Sequence, residues 1–253
     1  MPAKPAWPPR SAPRLFVSHT LSEGAEVVVS GNQAHYLARV MRVGEGDAVV
    51  LCDDVTGEWA SSVASIAKRE VILRCDNRLR PRESVPDFHL YAALLKKPAF
   101  DLVLEKATEL GVAEIRPMLT RRGVADRLNL DRAATIVTEA AEQCARTALP
   151  IVAEPETLDS ILRDWPADRM LYFADELGGT PAATSFAAGA RDGPHPAALL
   201  VGPEGGFDDA ERAAIRSLPQ ARPISLGPRI LRGETAAIAA IAVWMAVAGD
   251  WSN

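Results

Sequence analysis

Leu200-Val201-Gly202-Pro203-Glu204-Gly205-Gly206-Phe207 and Ser225-Leu226-Gly227-Pro228-Arg229-Ile230-Leu231-Arg232-Gly233-Glu234-Thr235-Ala236 are two glycine-bearing stretches near the end of a 253-residue chain. Each follows a short apolar run, Ala197 to Val201 or Pro223 to Leu226, with the length and composition of a buried strand. Each also precedes a helix-like stretch, so both loops fall at carboxyl ends of strands, where open α/β sheets bind ligands. Glycine there lets backbone N–H and C=O groups approach a ligand that a side chain would hold off. A single such turn has a purely conformational explanation. Two together are harder to explain that way.

Upstream, the text keeps alternating strand and helix. Phe88 to Leu95 reads as a strand, and Phe100, Val103, Leu104, Ala107 and Leu110 mark the apolar face of a helix that Gly111 stops. Glu114 to Leu119 and Met170 to Ala174 are further strands; Phe173-Ala174-Asp175-Glu176 ends the latter beside the two loops. Asn129 or Asp131 caps the helix between them, on which Glu139, Glu142, Gln143 and Arg146 share one polar face. Such a face is solvated, paired within itself, or set against a partner. Asp208 and Glu211 have the spacing of a capping box. The alternation predicts a parallel sheet covered on both faces.

The first third reads differently. Arg14 to Val17, Glu26 to Val29, Ala48 to Cys52, Glu58 to Ile66 and Glu70 to Arg74 are short strands separated by turns at Gly24, Gly31, Gly44 to Gly46 and Gly57, the pattern of a small β-barrel. Only His35 to Arg42 interrupts with helical spacing, placing Arg39 and Arg42 on one face. His35 reads as structural or capping. Arg78 to Pro86 is the natural linker, and residues 1–13, rich in Pro and Ala, read as a disordered tail.

Composition is that of an ordinary globular chain, with 48% hydrophobic and 24% charged residues. Met1 to Arg14 lacks the apolar segment of a secretory signal, and Thr235 to Gly249 is too short to span a bilayer. Cys52, Cys75 and Cys144 have no metal-ligand spacing and read as reduced cytoplasmic thiols. A net charge of -5 weighs against nucleic acid unless arginines cluster locally, as around residues 78–82, 116–132 and 222–232. Neither a P-loop nor a dinucleotide-binding glycine motif occurs.

With His35 to Asp47, Glu105-Lys106-Ala107-Thr108-Glu109-Leu110-Gly111-Val112 and Thr138 to Arg146, the two loops make a text that resembles the bacterial RsmE family. Its members are 16S ribosomal RNA (uracil-N3)-methyltransferases of the SPOUT, or α/β-knot, superfamily. The family usually has glycine or a similarly small residue where Ala145 stands and often serine where Gly123 stands. The resemblance implies a PUA-like RNA-binding β-barrel over 14–80 and a trefoil-knotted methyltransferase domain over 86–253. It further implies a cytoplasmic homodimer that uses S-adenosylmethionine without a metal on 16S rRNA or the 30S subunit, with no membrane partner.

A methyl donor of that kind calls for backbone hydrogen bonds, an apolar slot and few charges. The expected donor site is Ala174, Val201, Gly202, Pro203, Glu204, Gly205, Gly206, Leu226, Gly227, Ile230, Leu231 and Arg232. The uracil imide must lose its N3 proton before that nitrogen can attack. Arg232 is the expected stabiliser of the resulting anion, and Glu204 or Glu139 the proton acceptor, although either carboxylate has an equally good structural reading. N3 lies on the pairing edge, so the base must be unpaired or flipped out. Arg14, Arg39, Arg42, Arg121, Arg122 and Arg146 are the expected RNA contacts, with affinity falling as salt is added. Two other readings stay open: a SPOUT enzyme with another RNA target, and an assembly factor without catalysis. The last helix is apolar nearly all round and must be covered, by its own subunit or by a second copy.

Overall fold

The computed structural model describes residues 7–191, 193 and 195–252. Residues 1–6 of the expected tail lie outside the described residues. Two compact units emerge: the chain through Ser84 together with Ala141–Leu149, and Val85–Ala140 together with Pro150 onward.

In the first unit the strands are β1 (Arg14–Phe16), β2 (Glu26–Ser30), β3 (Ala48–Cys52), β4 (Glu58–Ile66) and β5 (Glu70–Arg80), ordered β1-β3-β4-β5-β2. The β1/β3 pair is parallel and the other pairs antiparallel. Register shifts between Glu58 and Trp59, Ala60 and Ser61, and Val63 and Ser65 bend the long β4/β5 ribbon. One core therefore takes side chains from every strand, among them Leu15, Val27, Leu51, Val63 and Leu73. β5 continues six residues beyond the expected Arg74 because β4 is long enough to pair with it as far as Arg80. That extension is polar and carries no apolar signal.

The segment after β2 is not one regular helix. α1 (Gly31–His35) passes into a π-helical turn, Tyr36–Met41, that ends on Arg42 at φ 56°. Arg42 is thus a left-handed cap, and the expectation that it shares a helical face with Arg39 is corrected. Described residues of the tail are also partly tied down: Pro13 is buried and its carbonyl accepts from Val50 N at 2.8 Å. Backbone pairing there outweighs the apparent looseness of a proline-rich text.

The second unit contains β6 (Phe88–Ala93), α2 (Lys97–Glu109), β7 (Glu114–Leu119), α3 (Leu130–Cys144), β8 (Ile151–Val152), β9 (Glu156–Thr157), α4 (Leu158–Arg163) and β10 (Met170–Ala174). It continues with β11 (Thr180–Pro181), α5 (Ala182–Gly189), β12 (Ala197–Val201), α6 (Asp209–Ser217), β13 (Ala221–Ser225) and α7 (Gly233–Val247). The last turn of α3, from Ala141, groups with the first unit. Every pairing in the sheet is parallel, in the order β11-β13-β10-β12-β6-β7-β8, with β9 also on β7. Alternation divides its strands between two cores: Leu199 and Phe88 join α2 and α7, whereas Leu200 and Tyr91 join α4 and α6. Burial on both faces explains why these strands read as unbroken apolar runs.

α7 packs against α2, α5, β6 and β12, and Trp244 stacks on Phe88 with ring centroids 3.9 Å apart. Its own unit therefore covers Ala237, Ala240, Ile241 and Met245. Gly111 at φ 93° follows α2, Asn129 Oδ1 accepts from Arg132 N at 2.9 Å, and the Asp208/Glu211 capping box opens α6. No helix among the described residues is long and apolar enough to cross a membrane.

Candidate functional site

β10 lies between β12 and β13 in the sheet but precedes both in the chain, so successive connections run in opposite directions across it. The loops leaving the carboxyl ends of these three strands diverge, and the start of α7 closes the space between them. They surround a pocket of about 360 Å³, within the usual range for small-ligand sites.

Most of the expected donor residues line this pocket: Ala174 after β10; Val201, Gly202, Pro203, Glu204 and Gly206 after β12; Leu226, Gly227, Ile230 and Leu231 after β13. Gly205 and Arg232 are not part of its lining. Gly205 is turned outward, and its carbonyl accepts from Arg122 Nη1 at 2.9 Å. Arg232 is the exposed N-cap of α7, between lining residues Leu231 and Gly233, and its carbonyl accepts from Ala236 N at 2.8 Å. Glu204 is exposed at the pocket, while Glu139 is exposed on α3 away from the lining.

Two glycines are sterically required. A β-carbon on Gly202 would come within 2.9 Å of the Phe207 ring. Gly206 stands at φ +66°, and a β-carbon there would meet Glu176 Oε1 at 2.5 Å. The resulting cavity is lined by the backbone of the glycine loops, by the apolar Leu226, Leu231 and Ala236, by the carboxylates Asp175, Glu176 and Glu204, and by Arg229 and Arg212, the latter tied to Asp175 and Glu176. That set suits an organic cation bearing a flat heterocycle, which is the chemistry of S-adenosylmethionine. No group of His, Cys, Asp and Glu able to hold a metal ion occurs among the described residues.

Nothing in the sequence pattern singled out the ionic framework in the pocket wall. Asp175, with a side chain 1% exposed, accepts from Arg212 Nε at 3.2 Å and Arg216 Nη2 at 2.6 Å. Arg212 Nη2 also donates to Glu176 Oε1 at 3.0 Å. The acidic pair at the end of β10 was visible in the text; Arg212, one charge among several on α6, was not.

The expected RNA-contacting arginines separate into two groups. Arg39 and Arg42 are exposed at the π-helical turn. Arg121 and Arg122 are exposed after β7 and fasten that turn to the β12 loop: Arg121 N donates to Glu211 Oε1 at 2.8 Å, and Arg121 Nη1 meets Asp208 Oδ2 at 3.1 Å. The Glu211 backbone N–H, Arg121 and the Ala210 N–H hold the Asp208 carboxyl below its ordinary pKa. Arg14, by contrast, is paired with Glu58. Arg146 follows the end of α3, is 5% exposed and lies 3.5 Å from Glu83. Burial lowers its pKa against the pull of Glu83. Arg146 is therefore off the polar helix face on which periodicity put it, because Ala145 turns the chain at φ 62°.

A sequence model of an RNA methyltransferase domain matches residues 81–245, and one of an RNA methyltransferase PUA domain matches 29–74. Curated relatives called ribosomal RNA small subunit methyltransferase E include one from Synechocystis sp., 32% identical over 90% of this chain and 76% of its own. Another, from Mycobacterium bovis, is 30% identical over 94% of this chain and 93% of its own. Among solved structures, the Neisseria gonorrhoeae protein of that name, bound to S-adenosyl methionine, superposes with a TM-score of 0.84 at 26% identity, over 95% of this chain and 99% of its own. A putative methyltransferase of Legionella pneumophila with bound SAM superposes with a TM-score of 0.81 at 28% identity, over 93% and 97% of the two chains.

Proposed function

Because this chain belongs to the RNA methyltransferase family that includes ribosomal RNA small subunit methyltransferase E, we propose that it methylates N3 of a uridine in 16S rRNA, using S-adenosylmethionine. The observation that carries this reading is the pocket that both glycine loops build at the carboxyl ends of β10, β12 and β13. In this reading residues 86–253 are the α/β-knot catalytic domain and 14–80 the PUA-like RNA-binding domain. The enzyme acts as a homodimer in the cytoplasm, where small subunits are available.

The donor would be held by the backbone of Gly202, Gly206 and Gly227 and by the side chains of Leu226 and Leu231. When bound, it supplies an electrophilic methyl group on a sulfonium. The protein's share of the work is to position an anionic base and accept its proton. Glu204, at the pocket, takes the N3 proton; Arg232, at the α7 N-cap, stabilises the charge spread over the uracil oxygens. Glu139 stands outside the lining, so its part requires the α3 face to meet the other subunit's pocket. Exposed Arg39, Arg42, Arg121 and Arg122 supply the phosphate contacts. Buried Arg146 is left out of that set, and so is Arg14, whose side chain is largely covered where it pairs with Glu58.

The test is transfer of labelled methyl from S-adenosylmethionine to 30S particles lacking the modification, with nucleosides identified by mass spectrometry. 3-Methyluridine is the expected product. A different methylated nucleoside would move the target within the family, and donor binding without transfer to small-subunit RNA would refute the proposed substrate. Failure to bind the donor would favour a non-catalytic assembly factor.

A further inference from the structure

Several polar side chains line the pocket, and they differ in how much hydrogen-bonding capacity remains. Asp175 is 1% exposed and receives two guanidinium groups. Arg212 is 10% exposed and spreads its fork over Asp175, Glu176 and Asp209, at 3.2, 3.0 and 3.4 Å. Glu176 differs from both: Arg212 holds one oxygen, yet the side chain is 47% exposed and lines the cavity.

Its position is also tightly defined. The place a Gly206 β-carbon would occupy is 2.5 Å from Glu176 Oε1 and 2.9 Å from both Cδ and Oε2. The carboxylate therefore lies against the α-carbon of the β12 loop, in space that only glycine leaves free. The backbone on either side of it is fixed too: Asp175 N donates to Ile224 O at 3.2 Å, and Asp175 Oδ1 accepts from Leu177 N at 3.1 Å. Arg212 and Arg216 face three carboxylates, Asp175, Glu176 and the exposed Asp209, so Glu176 is a fixed acceptor that keeps part of its negative charge.

We propose that Glu176 is a specificity-determining acceptor for an O–H or N–H group on the ribose or amino-acid end of the bound nucleoside, and that Arg212 is the positioning residue that fixes it. A planar guanidinium reaches Asp175 and Glu176 at once; a lysine ammonium has no such fork. The inference rests on the donor-pocket reading above.

Glu176→Gln is nearly isosteric and keeps an acceptor for Arg212, but it replaces the other oxygen with an N–H₂ that faces a ligand donor with a second donor. Calorimetry with S-adenosylhomocysteine and 5′-methylthioadenosine, which retains the ribose but lacks the amino acid, reads the effect. The variant is expected to keep the wild-type melting temperature and to bind S-adenosylhomocysteine about tenfold to a hundredfold more weakly. Equal weakening for both ligands assigns the ribose hydroxyls, and weakening for S-adenosylhomocysteine alone assigns the ammonium. Undiminished affinity overturns the assignment while leaving the pocket intact. Wild-type protein that binds neither ligand overturns the donor reading and this inference with it.

Arg212→Lys should weaken the same ligands in the same pattern, and the double variant should be no worse than the weaker single variant. A purely structural role would depress melting and leave both affinities unchanged at temperatures where the variant is folded. Additive losses would remove Arg212 from the positioning role.

Discussion

Gly206→Ala adds one methyl group and tests how the pocket is built. Alanine at φ +66° costs about 1–2 kcal/mol for an L-residue in the left-handed region. The new β-carbon would also sit 2.5 Å from Glu176 Oε1, so the carboxylate must move and give up its 3.0 Å bond from Arg212. Glu176 is 47% exposed and water replaces much of that bond, which leaves a further loss of about 1 kcal/mol. The sum, ~2–3 kcal/mol, should lower the melting temperature by roughly 5–10 °C and weaken S-adenosylhomocysteine at least about tenfold. Gly205→Ala is the control. Its β-carbon would meet only the Arg122 side chain, at 3.6 and 3.7 Å, so stability should change by less than about 0.5 kcal/mol. Calorimetry and thermal denaturation of both variants decide the matter. If Gly206→Ala binds and melts like wild type, or if Gly205→Ala loses as much affinity, the close approach of Glu176 to Gly206 does not shape the pocket.

Ala145 stands at φ 62°, so Ala145→Gly should stabilise the protein by about 0.5–1 kcal/mol; a denaturation midpoint that stays put or falls counts against this. Burial chiefly, with help from Arg169, lowers the His89 pKa against Glu114 and Asp87. The unfolded chain then binds the proton more readily, so this histidine's contribution is present above about pH 6.5 and lost as pH falls through the lower folded value. His89→Gln should flatten that decline in denaturation curves at pH 7 and 5, and parallel curves would contradict it. Burial also pushes the Cys52 thiol to about 12 and raises Cys75, whereas Cys144 is exposed. A thiol-reactive disulfide should label Cys144 first in native protein, and the other two only on unfolding; early labelling of Cys52 would show that the β3 core opens.

Strands β3, β4, β7, β10 and β12 were legible at their observed ends, because runs such as Ala197 to Val201 are apolar and bounded by turn residues. So were the Asp208/Glu211 box and the placing of two loops at strand ends, since capping and glycine turns are written in adjacent residues. The two-residue strands β8, β9 and β11, and the polar end of β5, carry no periodicity of their own and exist because a neighbouring strand pairs with them.

Other distinctions needed the fold. Gly205 and Gly206 are neighbours in one glycine-rich text, yet only Gly206 has a left-handed φ and a carboxylate against its α-carbon. Arg121 and Arg146 both follow the end of a regular element, β7 and α3, but one is exposed and the other is 5% exposed beyond a left-handed turn. Arg212 joins Asp175 and Glu176 only when α6 packs beside the end of β10. Local pattern, by itself, determined which segments fold as strands, helices and the loops that line the pocket, because it depends on side-chain spacing and backbone freedom within a few residues. Which glycine is indispensable, which arginine meets solvent and which carboxylate is held rigid were decided by tertiary structure, because steric exclusion, desolvation and hydrogen-bond geometry depend on atoms distant in the chain.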